Sequence, residues 1–194
     1  MAQHVPILLS LVLLLAQTAS AVVYVKQGTA TQDGDSWETA YHSIQAGIDD
    51  AFATGEDVWV AQGTFVETVT MKQGVDVYGG YEGSGTTRNT VVYETIIDGN
   101  SAGNVVTGAD SATIDGCTVQ NGSRGVYGYN TTPTVRNCRL LSNTTVGVYL
   151  YNASSPVVSG NTLQGNGVGL TIMNSTSPTI TNNTFTGNMG NAAE

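Results

Sequence analysis

The chain has 194 residues and a formal net charge of −9, with 6 basic side chains against 15 acidic ones. The basic residues are few and never clustered, so no surface can neutralise a run of phosphates, which excludes nucleic-acid binding. Of the two histidines, His4 lies in an apolar leader and only His42 remains, so no imidazole cluster can hold a metal and no cofactor is expected.

The chain opens with an apolar run from Ile7 to Leu15, followed by Ala19-Ser20-Ala21. That run is too short to span a bilayer, and small-x-small is the pattern a signal peptidase accepts. Residues 1–21 are therefore expected to be a signal peptide, although the n-region has no Lys or Arg, and the mature chain to be extracellular or displayed at the cell surface. No transmembrane segment is expected beyond it.

Residues 22–56 form an N-terminal cap: a strand, then a helix over 43–54. Ser43 is placed to cap the helix, Ile44, Ile48, Ala51 and Phe52 share a face, and Gly55 follows the end. This helix is read as a lid over the first turn of a solenoid. Residues 57–110 are irregular coils, with strands at Asp57-Val58-Trp59-Val60 and Gly74-Val75-Asp76-Val77-Tyr78. Thr95-Ile96-Ile97-Asp98-Gly99 echoes Thr113-Ile114-Asp115-Gly116.

From Ser111 to Glu194 the order is regular. Segments beginning at Ser111, Pro133, Pro156 and Pro178 repeat every 21 to 23 residues, each with three short β-prone stretches separated by Gly, Asn, Asp or Pro. Stacking them puts Ile114, Val135, Val158 and Ile180 in one column, and Val119, Leu140, Leu163 and Phe185 in a second. Cys117, Cys138, Asn161 and Asn183 form a third, and Val126, Val148 and Leu170 a fourth. Gly128, Leu150 and Ile172 follow on the same strand. Columns of like residues are expected when successive coils pair in register about 4.8 Å apart, because each inward side chain then lies on its counterpart. Gly125, Gly147 and Gly169 are expected to need positive φ or close backbone approach. Asn130, Asn152 and Asn174, and Asn143, Asn166 and Asn188, close strands at left-handed turns.

Segments such as Pro156-Val-Val-Ser-Gly-Asn161-Thr-Leu-Gln-Gly-Asn166-Gly-Val-Gly169-Leu resemble the right-handed β-helix repeats of carbohydrate-binding proteins and sugar hydrolases. Asp57-Val-Trp-Val-Ala-Gln-Gly63-Thr-Phe and Val77-Tyr-Gly-Gly80-Tyr look like the opening coils of bacterial surface proteins of the pectin-lyase-like superfamily. The fold expected is all-β: a right-handed parallel β-helix solenoid with three short strands per coil of about 22 residues and one N-terminal capping helix.

Catalytic constellations do not emerge. Lyases of the resembling superfamily carry calcium-binding acids beside a base, but calcium needs several converging oxygens. Asp98 and Asp115 are expected to stack on adjacent coils, in a column that then ends in Arg136, Ser159 and Thr181, and Arg136 to form an exposed ion pair with Asp115. Asp33 and Asp35 read as a plain turn. Met71, Met173 and Met189 are too far apart for a soft metal site. Cys117 and Cys138 are neighbours in one column, which leaves two states open, a disulfide or two buried thiols.

The outward positions Tyr127, Tyr129, Tyr149 and Tyr151 make a two-by-two patch suited to sugar rings or a protein partner, or simply to strengthening the sheet. Two functions follow as expectations. One is a non-catalytic scaffold for adhesion or for binding a polysaccharide or cell-surface glycan. The alternative is the N-terminal part of a polysaccharide lyase or glycoside hydrolase whose active site lies elsewhere. The last segment lacks a third strand and a polar cap, so further coils of a longer parent protein are expected, and the isolated chain to behave poorly.

Overall fold

The computed structural model describes residues 22–29 and 31–190; the expected signal peptide, 1–21, and residues 191–194 lie outside them. Strand β1 (Val22–Val25) is followed by helix α1 (Ile44–Thr54). The chain then winds in coils, each laying one strand on each of three faces. The first full coil holds β2 (Asp57–Ala61), β3 (Gly63–Val66) and β4 (Val69–Thr70), and the second β5 (Val77–Tyr81), β6 (Thr95–Asp98) and β7 (Asn104–Thr107). Next come β8 (Thr113–Asp115), β9 (Cys117–Gln120) and β10 (Arg124–Tyr129), then β11 (Thr134–Arg136), β12 (Arg139–Leu141) and β13 (Val146–Tyr151). The described chain finishes with β14 (Val157–Ser159), β15 (Thr162–Gln164) and β16 (Val168–Met173), then β17 (Thr179–Thr181) and β18 (Thr184–Thr186).

The strands assemble into sheets of seven, six and five strands, ordered β1-β2-β5-β8-β11-β14-β17, β3-β6-β9-β12-β15-β18 and β4-β7-β10-β13-β16. The expected columns are those of the structure. Ile114 pairs with Val135, Val135 with Val158, and Val158 with Ile180. On the second face the order is Val119, Leu140, Leu163, Phe185, and on the third Val126, Val148, Leu170. Val135, Val158, Leu140, Leu163 and Val148 are fully buried in one continuous core. A single coil has only a thin apolar ring to bury, so this stacking is what removes it from water.

The corners explain the Asn-rich composition. Asn121, Asn130, Asn137, Asn152, Asn174 and Asn182 all have φ between 52° and 58°, a conformation that asparagine tolerates better than most residues. Asn143, Asn166 and Asn188 behave differently from expectation. The left-handed residue at their corner is the preceding one, Ser142, Gly165 or Gly187, and the asparagine itself turns inward. At Gly125 the need is close approach and not positive φ: an added Cβ would lie 2.4 Å from the Gly147 carbonyl oxygen.

Helix α1 closes the first turn, as its caps predict. The Ser43 hydroxyl accepts from the Ala46 amide, and Gly55 adopts φ 78°. Ile44, Ile48 and Ala51 join the solenoid core, whereas Phe52, expected on the same face, is 55% exposed. No helix among the described residues is long and apolar enough to cross a membrane.

Two further differences arise at the second coil. Thr95–Asp98 does not echo Thr113–Asp115 structurally: β6 pairs with β9 on the second face, while β8 follows β5 on the first. The reason is residues 82–94, an insertion at the corner between β5 and β6 where later coils make a tight turn. Consequently Asp98 lies beside Gln120 and Asp115 between Tyr78 and Arg136, so the two acids do not stack.

The outer side of the first sheet also carries an aromatic column, Tyr24, Trp59 and Tyr78, that the repeats do not announce. Trp37 and Tyr81 pack over it, Tyr81 stacking on Trp59 at 4.4 Å between ring centroids. Trp37 donates its indole N–H to the Gly85 carbonyl at 2.7 Å, so this second cluster fastens both irregular loops to the solenoid.

Candidate functional site

The tyrosine patch lies where strand alternation puts it. In β10 and β13, Val126 and Val148 point inward, so Tyr127 and Tyr129 pair outward with Tyr149 and Tyr151. In β16 the same columns continue as Thr171 and Met173. The rings stack on each other: Tyr127 on Tyr149 at 5.7 Å and 13°, Tyr129 on Tyr151 at 5.3 Å and 6°. Each ring therefore gives one face to its neighbour, and the surface offered outward is not a flat platform but ring edges and hydroxyl tips. Tyr129 is the most open, at 52% exposure, and the Tyr149 hydroxyl lies 4.0 Å from the Met173 sulfur.

Arg124 completes this face and is not predicted by the repeat. Alternation counted back from Tyr127 puts it inside, but it is half-buried with its guanidinium on the tyrosine side of the sheet. Its guanidinium sits over Tyr127 at 5.3 Å and over Tyr149 at 5.7 Å, and Nη1 donates to the Asn104 amide oxygen at 3.4 Å. Among the described residues it has no carboxylate partner. By contrast Lys72, Arg88, Arg136 and Arg139 all pair with carboxylates.

Asp115 is the centre of the other polar cluster. It is 3% exposed and accepts from Arg88 at 2.7 Å, from Arg136 at 2.5 Å and from the Asn137 amide at 3.2 Å. Burial acts to raise its pKa, but the hydrogen bonds and charge of Arg88, with Asn137 and Arg136, outweigh it and hold the carboxyl below its ordinary value. The expectation of an exposed Asp115–Arg136 pair is thus corrected: the acid is buried, and a second arginine from the 82–94 insertion neutralises it. Both carboxylate oxygens accept from these donors, two on Oδ1 and one on Oδ2, and the cluster fastens the loop to the solenoid.

The other candidates are structural. Asp33 accepts from the Asp35 amide at 3.1 Å in a turn, and hydrogen bonds from Thr39 and then Asp35 lower its pKa. His42 bonds Thr29 through Nε2 at 2.6 and 2.8 Å. No group of three or more metal-ligating side chains occurs among the described residues. Cys117 and Cys138 are both free and buried in this structure. Their side chains point to backbone carbonyls, Cys138 to Arg136 at 3.1 Å and Cys117 to Asp115 at 3.8 Å. Burial pushes both thiols up, Cys138 to about 12, so neither supplies a thiolate nucleophile at neutral pH.

No curated protein and no solved structure matches the chain significantly. A family model described as a right-handed beta helix region matches residues 61–194, which include every regular coil and the tyrosine face. The chain belongs to the right-handed β-helix family, and its fold is that of the pectin-lyase-like solenoids.

Proposed function

We propose that the chain is an exported, non-catalytic β-helix scaffold that binds polysaccharide on the face formed by Tyr127, Tyr129, Tyr149, Tyr151 and Arg124. The observation that carries this reading is the contrast between faces. Most cations elsewhere are paired with carboxylates within the fold, whereas the third sheet presents aromatic edges, four hydroxyls and an arginine with no carboxylate partner among the described residues. Sugar polymers are bound by such mixtures of C–H packing and directional donors. Export rests on the leader at residues 1–21, read from the sequence.

The test is a polysaccharide-binding and depolymerisation screen comparing the parent with a Tyr127→Ala/Tyr149→Ala double variant. Binding is expected to weaken about tenfold or more, since two stacked aromatics and the arginine's resting place go together. Equal binding by the double variant removes the tyrosine face from the reading, and depolymerisation by the parent contradicts the non-catalytic assignment.

A further inference from the structure

The insertion of residues 82–94 has a consequence apart from the tyrosine face. It does not project as a free loop: it folds down the corner between the first and second sheets and is tied to the coils that follow. Arg88 reaches Asp115 one coil on, and its Nε donates to the Gly79 carbonyl at 2.8 Å. Asn89 caps the turn by accepting from the Val91 and Val92 amides at 3.0 and 3.1 Å. Glu94 accepts from the Thr118 hydroxyl at 2.8 Å and pairs with Arg139, two coils along. The corner glycine Gly116 is required beneath it, because an added Cβ would lie 2.5 Å from Thr90 Cγ2 and Arg88 Nη2.

A strap tied over a corner in this way leaves space beneath it. A cleft of about 300 Å³ runs between the strap and the second sheet, lined by Thr90, Val91, Glu94, Thr118, Arg139 and Thr162. That volume is at the lower end of small-ligand sites, enough for one ring and not for an extended polymer. On the strap side its edge carries an uncovered apolar residue: Val91 is 89% exposed, as its neighbour Val92 is at 62%, although the backbone that carries them is capped by Asn89. Large exposed aliphatic side chains on a fastened loop, beside a polar cleft, are placed for contact and not for folding.

We propose that this cleft binds a single neutral pyranose unit, free or at the end of a glycan. Glu94 and Arg139 already neutralise each other at the rim, so an anion would compete with Glu94 and a cation with Arg139. A neutral polyol takes the spare acceptor sites of the carboxylate and spare donors of the guanidinium together, leaving the pair intact. The Thr118 and Thr162 side chains stand in register on successive outward positions with Arg139 between them, and Val91 offers an aliphatic surface to the C–H face of the ring. The site is on a different face from the tyrosines and does not depend on them.

The experiment is a methyl-resolved NMR titration of the full chain with a panel of neutral methyl hexopyranosides and N-acetylhexosamines, with glucuronate as the charged comparator. Saturable shifts are expected at the Val91, Thr118 and Thr162 methyls for at least one neutral sugar. Thr162→Val, which keeps the shape and removes the hydroxyl, is expected to weaken binding about tenfold. Val91→Ser, at a position without a packing role, should weaken it too and guards against a folding defect in the strand variant. The Tyr127→Ala/Tyr149→Ala protein should give the same shifts as the parent, so failure of the tyrosine reading and failure of this one are separable. Absence of saturable shifts with every neutral sugar, tighter binding of glucuronate, or titrations unchanged in both Thr162→Val and Val91→Ser would overturn the proposal.

Discussion

Replacing Asn166 by alanine is expected to destabilise the regular coils by about 4 kcal/mol, because one buried amide serves several others. Asn166 is fully buried, and its Oδ1 accepts both the Asn143 backbone amide at 3.0 Å and the Asn143 side-chain amide at 3.1 Å. Its Nδ2 donates to the Leu140 carbonyl at 2.8 Å and to Asn188 Oδ1 at 3.1 Å. Alanine leaves the Asn143 backbone N–H and one of its two side-chain N–H groups without an acceptor in the core, each at about 1–3 kcal/mol, and opens a small cavity besides. The contrasting variant is Asn152→Ala, on an exposed corner with φ 53°, where the cost is the left-handed backbone, about 1–2 kcal/mol, and one exposed hydrogen bond to Asn130 Oδ1 at 3.0 Å. Solenoids can open locally, so the decisive readout is hydrogen exchange of the Asn143 amide. It should lose protection in Asn166→Ala and keep it in Asn152→Ala.

Asp115→Ala is expected to cost about 3 kcal/mol, measured by denaturant unfolding. Removing the acid strands two guanidinium groups, and breaking a buried pair costs about 3–5 kcal/mol. The lower end applies because Arg88 and Arg136 keep 29% and 40% of their side chains exposed and can turn toward water. The loss should be concentrated at the strap, with the amides of residues 82–94 exchanging faster. The same group gives a pH dependence of definite sign. Its folded pKa lies below the unfolded value, so the stabilisation is fully present above the ordinary aspartate range, near about 3.9, and is lost as pH falls through the depressed folded value. In Asp115→Ala that acid-side fall in stability should be shallower than in the parent.

What could be read in the residues and what could not divide along physical lines. The columns through Val135 and Leu140 were legible because in-register stacking repeats the same environment every coil, so one spacing fixes face, register and burial together. The outward tyrosines followed from the same alternation. The spacing places Asn143, Asn166 and Asn188 at turns but does not show that they face inward, since Asn is equally at home at a left-handed corner and in a buried ladder, and only the neighbouring φ decides. The likeness of Thr95–Asp98 to Thr113–Asp115 does not carry over to their faces, because an insertion breaks the period and nothing local in Thr-Ile-Ile-Asp distinguishes one sheet from another. Arg88 and Glu94 were invisible as partners of Asp115 and Arg139, since their contacts are made by a loop with no repeat to anchor it. Trp59 and Tyr78 did leave a signal, an aromatic at the outward position of successive strands, which Trp37 in an irregular stretch was needed to cover.

The measurement that bears most directly on the whole account is a set of methyl–methyl nuclear Overhauser contacts along the solenoid axis. Leu140 should show strong contacts to both Val119 and Leu163, and Val135 to both Ile114 and Val158, as side chains one rung apart require. Leu141, which points outward, should show none to the core methyls of Val135. Missing contacts within these columns, or Val135 and Val158 reporting opposite sides of a sheet, would contradict the stacked-coil arrangement on which every site described above depends.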